Sequence, residues 1–277
     1  MPSVPRPSIL PAEPRVEGAL YAETVGSGPP VVLAHGFTQT RRVWGSLETR
    51  LAAHHRVLLV DMPGHGRSDP VRATLPEGAG LLAAAGGRAT YLGYSMGARF
   101  CLHLALAQPG VVEGLVLISG TAGIEDPGER RARRQSDEAM AEELDPPAGR
   151  AGNPVALESF LRRWLENPMF AGIGPAAAGL AERLTNTGAG LASSLRLAGT
   201  GTQPPLWAAL PRLRMPVLVL TGQRDAKFTA LGRRMARSIG PNAVHCVVPG
   251  TGHAPHLERP GAVADLVLAH LGEADAD

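Results

Sequence analysis

Lysine is almost absent from this chain: of 27 Lys and Arg residues only Lys227 is lysine, and 25 acidic residues reduce the formal charge to +2. That leaves no bulk field to hold nucleic acid or a membrane surface. Arginine is favoured throughout, so only individually placed arginines carry a functional reading. A guanidinium grips a carboxylate with a planar fork that lysine lacks. Cysteine is nearly as scarce. Cys101 and Cys246 are too few for a disulfide framework, and each stands in an apolar run where a buried thiol is expected. No run approaches the ~18 apolar residues of a membrane span. The opening MPSVPRPSILPAEPRVEG, broken by proline, also lacks the apolar stretch of about 7–15 residues of a secretory signal. Residues 1–18 are expected to be a flexible segment and the setting cytoplasmic.

What is present argues for a folded α/β chain. Hydrophobic residues make up 44% of the 277 positions, and 34 glycines and 25 prolines stay below the composition of disordered chains, about 25–30%. There is ample surface to bury in a core. Short runs rich in β-branched residues and leucine recur: ALYAETV, VVLAHG, HRVLLVD, ATYLGYS, VEGLVLISG, MPVLVLTG and AVHCVVPG. Several are apolar without alternation and are separated by helix-length stretches, the pattern of a mainly parallel sheet covered on both faces. Between LVLISG and MPVLVLTG the rhythm breaks for roughly ninety residues, far beyond a crossover helix of ~10–15. DPGERRARRQSDEAMAEEL, NPVALESFLRRWLENPMF and PAAAGLAERLTNTGAGLASSLRLAG supply helices there. The expected organisation is a core of residues 19–122 and 211–277 with an inserted helical cap at 123–210. The connection DPVRATLPEGAGLLAAAGGRATYLGYS is short, so its helix is expected to be truncated or irregular.

GYSMG, residues 93–97, fits G-x-S-x-G between a strand and a helix. Gly93 and Gly97 leave room for a strained turn that presents Ser95 at the top of the sheet, with the Met96 N–H at the helix start behind it. VVLA runs into His35-Gly36-Phe37, where the Phe37 N–H can serve as a second oxyanion donor. His35 is read as a brace for that loop, and DMPGHGRS at 61–68 as a purely structural turn. A serine needs a base and the base an acid. His253, after the last strand, is the first candidate and His256 the reserve. Asp225, directly after MPVLVLTG, is the favoured acid, with Asp126 a second possibility. Arg99 stands four residues beyond Ser95, about one turn of ~3.6 residues, so it can share the serine's face and meet a carboxylate. Arg133 lies among i,i+4 pairs such as Glu129 with Arg133, the usual look of a solvated helix face. Trp164 by itself reads as core.

These strings resemble the α/β-hydrolase superfamily and, within it, the 2-succinyl-6-hydroxy-2,4-cyclohexadiene-1-carboxylate (SHCHC) synthase family of menaquinone biosynthesis. The likeness is carried by GYSMGAR, RRARRQSD, FLRRWLENPMF, LTNTGAGL, GQRDAKF and GTGHAPHLERP. The resemblance implies an α/β-hydrolase fold and a lyase that eliminates pyruvate from a cyclohexadiene tricarboxylate. Ser95, His253 and Asp225 would abstract a proton. Tyr94, Arg99, Arg133 and Trp164 would line the substrate pocket. No metal or organic cofactor is expected, and the expected partner is a small carboxylate. A carboxylesterase or carbon-carbon bond hydrolase with an acyl-serine is the alternative. A non-catalytic binding protein would have no need of all three members of the Ser-His-Asp set.

Overall fold

The computed structural model describes residues 19–145 and 154–272, and the segment 1–18 expected to be flexible lies outside the described residues. All seven expected strands form: β1 (Ala22–Val25), β2 (Pro30–Ala34), β3 (Arg56–Val60), β4 (Ala89–Tyr94), β5 (Val112–Ile118), β6 (Val217–Gly222) and β7 (Ala243–Val248). They make one sheet in the order β1-β3-β2-β4-β5-β6-β7. Only β1 runs antiparallel to its neighbour; the pairings from β3 through β7 are parallel. This is the α/β-hydrolase architecture expected from the sequence.

Along the chain, α1 (Ser46–Ala52), α2 (Leu75–Gly86) and α3 (Met96–Ala107) follow β2, β3 and β4. Next, α4 (Pro127–Leu144), α5 (Pro154–Leu165), α6 (Pro175–Ala178), α7 (Leu180–Arg183) and α8 (Gly188–Ala198) lie between β5 and β6. Finally, α9 (Ala226–Ile239) follows β6, and α10 (Pro255–Glu258) and α11 (Pro260–His270) follow β7. The central strands are apolar without alternation because both faces are covered. Leu115 and Leu117 join Leu82, Phe100, Leu104 and Met235 in a core built with α2, α3 and α9. Val116 and Ile118 join Leu47, Leu51, Val263 and Val267 in a second core built with α1 and α11. Successive residues of one strand thus feed opposite cores.

One expectation is corrected. The short connection before the elbow carries no truncated helix: α2 is a regular 12-residue helix. Thr74 and Glu77 cap it reciprocally, Pro76 stands in its first turn, and bare Gly78 lets Phe100 of α3 lie against its backbone. Small side chains and a complete capping box stabilise it in little sequence.

The insertion between β5 and β6 has its own apolar centre, in which Ala141 and Leu144 of α4 meet Leu161 of α5 and Leu191 and Leu195 of α8. Phe37 of the base packs against this cluster, so the inserted helices rest directly over the strand ends. No helix among the described residues is long and apolar enough to cross a membrane.

Under that junction lies a buried ion network. Asp61, fully buried after β3, accepts hydrogen bonds from Arg41 N at 2.8 Å, Arg41 Nη1 at 2.9 Å and Arg67 N at 2.9 Å. The other arm of Arg41 reaches Glu23 of β1 at 2.6 Å. Breaking a buried pair leaves an uncompensated charge. Arg41→Ala is therefore expected to cost about 3–5 kcal/mol in urea denaturation, whereas Arg88→Ala, which breaks the exposed pair with Glu113, should leave the midpoint nearly unchanged.

Candidate active site

Ser95 stands at the β4–α3 junction with φ 51° and ψ −102°, a backbone conformation that non-glycine residues rarely adopt. Two glycines make the turn possible. A Cβ on Gly97 would overlap the Ala34 carbonyl oxygen, and one on Gly93 would lie 2.5 Å from Ala98 N. Ser95 N donates to Ile118 O at 2.8 Å, which ties the turn to the end of β5.

The strand ends deliver the partners. His253 follows β7, and its ring makes a 2.7 Å bond through Nδ1 to Asp225 Oδ2 and a 3.3 Å contact through Nε2 to Ser95 Oγ. Asp225 follows β6 and caps α9, its Oδ1 accepting from Phe228 N at 3.1 Å. Burial works to raise the Asp225 carboxyl, but the bonds from His253 and Phe228 outweigh it and hold the group below the usual carboxylate range. Asp225 therefore stays ionised and fixes the histidine so that Nε2 faces the serine. The ring is packed edge-on by Phe228, centroids 4.3 Å apart, and lies near Tyr94 and Phe170.

The reserve candidates fall elsewhere. His256 is buried between Trp44 and Tyr94, where burial, with the His253 and Arg183 charges, lowers its pKa to about 3. Asp126 caps α4 by accepting from Glu129 N at 2.7 Å; it borders the cavity, but Asp225 holds the histidine.

The loop carrying Phe37 is held by two histidines. His35 donates through Nδ1 to its neighbour Gly36 O at 2.8 Å and accepts at Nε2 from Met62 N at 3.0 Å. His65, from the DMPGHGRS turn, donates to Pro63 O at 2.9 Å and accepts at Nε2 from Thr38 N at 3.2 Å. Desolvation lowers their pKa values to about 4 and about 3, so both are neutral and each can donate from one nitrogen while accepting at the other. Asn186 of the insertion also donates to Thr38 O, at 2.9 Å.

Over the serine lies a cavity of about 710 Å³ lined by Phe37, Tyr94, Ser95, Met96, Arg99, Arg133, Trp164 and His253 among others. Every expected site residue thus borders one space. The Tyr94 ring lies 5.7 Å from that of His253 between centroids, and Trp164 packs edge-on against Phe37 at 5.2 Å. Trp164 is both cap core and pocket wall.

Arginines ring this space, and each is anchored. Arg99, 6% exposed, donates to Ala198 O at 2.7 Å. Arg133 donates through Nε to Asp137 Oδ1 at 2.7 Å, so its ion pair is with Asp137 rather than the expected Glu129. Arg183 was not singled out in the sequence. It is 3% exposed, binds Ala178 O and Thr38 Oγ1, and also lines the cavity. Burial, reinforced by the Arg133 charge and offset by Asp137, lowers Arg99 to about 10; burial lowers Arg183 to about 10 as well. Both remain cations at neutral pH. In the sequence, Arg183 looks like any basic residue beside a glutamate, and only the packing reveals it. The far wall pairs Arg234 with Glu125, the guanidinium 3.9 Å from the Trp207 ring centroid. Among the described residues no three His, Cys, Asp or Glu side chains cluster as a metal site.

A model of the alpha/beta hydrolase family matches residues 31–266. A Bacillus subtilis protein provisionally named 2-succinyl-6-hydroxy-2,4-cyclohexadiene-1-carboxylate synthase is 31% identical over 92% of this chain and 96% of its own length. A pimeloyl-[acyl-carrier protein] methyl ester esterase of Xanthomonas oryzae is 34% identical over 90% and 97%. Among solved structures, MenH from S. aureus superposes with a TM-score of 0.82 at 27% identity, over 91% of this chain and 98% of that one.

The two bracing histidines set a pH dependence. Their folded pKa values lie below the ordinary histidine value of about 6.5. From pH 6.5 down to about 4 the unfolded chain therefore binds protons that the native state refuses, and stability falls as pH falls. Urea midpoints should drop steadily across that window, and less steeply in His65→Gln. A midpoint independent of pH would show that these rings are protonated in place.

Proposed function

Because the chain belongs to the alpha/beta hydrolase family, we propose that it is an enzyme that eliminates pyruvate from a cyclic tricarboxylate, using Ser95 as a base. The observation that carries this reading is the set of anchored arginines, Arg99, Arg133 and Arg183, facing the space above the serine. Arg133 is half-buried and already paired with Asp137, but the buried guanidiniums of Arg99 and Arg183 have no carboxylate partner among the described residues and are costly unless anions meet them. A substrate with several carboxylates supplies those anions, and a simple ester does not.

The chemistry then follows from the relay. The name of the B. subtilis relative makes a 2,4-cyclohexadiene the product. Elimination adds a ring double bond, so the substrate is the corresponding cyclohexene rather than the diene expected from the sequence. His253, held by Asp225, takes the Ser95 proton, and the serine oxygen removes the ring proton beside the succinyl carbonyl. Negative charge gathers on that carbonyl oxygen, where the N–H groups of Phe37 and Met96 stabilise it; such a donor is typically worth ~3–4 kcal/mol. The electron pair moves through the ring double bond, the distal carbon-oxygen bond breaks, and enolpyruvate leaves to be protonated to pyruvate. Water and an acyl-enzyme are not needed.

Ester hydrolysis is the second reading. It is favoured by the likeness to the Xanthomonas oryzae esterase and by a relay that serves either reaction.

Pyruvate release from the enolpyruvyl cyclohexene tricarboxylate tests the proposal. Ser95→Ala, His253→Ala and Asp225→Asn should each lose several orders of magnitude in turnover, since they act as one unit. Asp126→Asn should be nearly silent. Arg99→Lys should cut tricarboxylate turnover steeply while changing little against a small neutral ester, because the ammonium lacks the fork. A wild type that releases no pyruvate but turns over the neutral ester rapidly would favour the hydrolase.

A further inference from the structure

Lys227 is the only lysine beside 26 arginines. In a chain that uses arginine almost wherever a cation is needed, the position that keeps lysine borders the cavity, two residues after the acid of the relay. It is the second residue of α9, and the exposed N–H groups of a helix start repel a cation there. Local helix energetics therefore argue against a basic residue at this place.

The remaining wall cations are all committed. Arg99 is held by Ala198 O, Arg133 by Asp137, Arg183 by Ala178 O and Thr38 Oγ1, and Arg234 by Glu125. The Lys227 side chain makes no hydrogen bond or ion pair among the described residues. Its charge does reach the relay acid, helping to lower the Asp225 carboxyl after the larger effects of burial and hydrogen bonding. The residue is exposed at the rim, on a long flexible stem. An ammonium of this kind can follow a moving anion as a point charge, where a guanidinium needs a fixed planar partner.

We propose that Lys227 is a specificity-determining residue whose ammonium receives one carboxylate arm of the substrate at the cavity rim, while the anchored arginines hold the carboxylates lying deeper. This rests on reading the cavity as a site for a polycarboxylate. The anchored Arg99, Arg133 and Arg183 provide rigid recognition, and the lysine provides the adjustable contact through which an anionic arm enters and leaves.

The scarcity of lysine makes the test direct. Reductive methylation with ¹³C-formaldehyde labels Lys227 and the chain's α-amine and preserves the charge. Lys227→Arg identifies the lysine signal by its loss. Succinate should shift that signal saturably and dimethyl succinate should not. In parallel, Lys227→Met should lower kcat/KM for the tricarboxylate about tenfold or more, mainly through KM, as loss of one charge-assisted bond implies. Turnover of a neutral ester should stay within about twofold.

A signal that ignores succinate overturns the proposal, and so does an equal loss of Lys227→Met on both substrates, which would mean that the lysine acts through Asp225. If the wild type releases no pyruvate, the lyase reading fails, yet the succinate titration still decides whether Lys227 receives a carboxylate.

Discussion

The tight backbone turn at Ser95 is the constraint on which the site depends. Its positive φ is tolerated because Gly93 and Gly97 leave no side chains where β2 and α3 press together. Strain of this kind costs on the order of 1–3 kcal/mol and persists only where the surroundings over-determine it. Here the surroundings are the two cores on either face of the sheet and the bond from Ser95 N to the end of β5. The turn raises the hydroxyl above the strand ends, starts α3 immediately behind it, and places Arg99 one turn further along. Parallel strands then bring Asp225 and His253 to the same edge from β6 and β7.

The selectivity proposed for the site rests on a second constraint, the desolvation of the arginines. Arg99 of α3 and Arg183, the last residue of inserted α7, are buried and anchored to carbonyl oxygens, which orients the guanidiniums without neutralising them. Asp137, 1% exposed, is the buried carboxylate beside Arg133 and also accepts from Gly201 N at 3.1 Å. Among the described residues Arg99 and Arg183 thus remain buried cations bonded to no carboxylate, in a medium where charge is poorly screened, while the outer wall carries Glu125, Asp126 and Glu129 beside its own cations. In the proposed function the substrate's carboxylates meet those two buried cations. A neutral guest would leave them uncompensated, so the proposed preference follows from what is left unpaired as much as from what is bound.

Much of this was legible in the sequence. Strand runs stand out because parallel strands buried on both faces carry unbroken apolar stretches. The elbow stands out because only glycine fits beside Ser95. Asp225 and His253 could be placed because each stands in the loop that follows a strand. Less could be read in the inserted helices, where charge patterns look like solvated surface. Glu129 and Arg133 had the spacing of a pair, but Arg133 turns to Asp137 across the next turn. Arg183 and the histidine braces depend on burial by segments far away in sequence. The regularity of α2 was also hidden, because its capping box and its contact with Phe100 mattered more than its length.

The central claim is that Ser95 takes a proton and forms no bond to carbon. Its most direct test is the isotope effect on pyruvate release when the ring hydrogen beside the succinyl carbonyl is replaced by deuterium, with rapid-quench mass measurement of the intact enzyme in the same reaction. A base mechanism predicts a primary isotope effect on kcat/KM and an enzyme of unchanged mass at every time point. An isotope effect of unity together with a covalent adduct on Ser95 would contradict it.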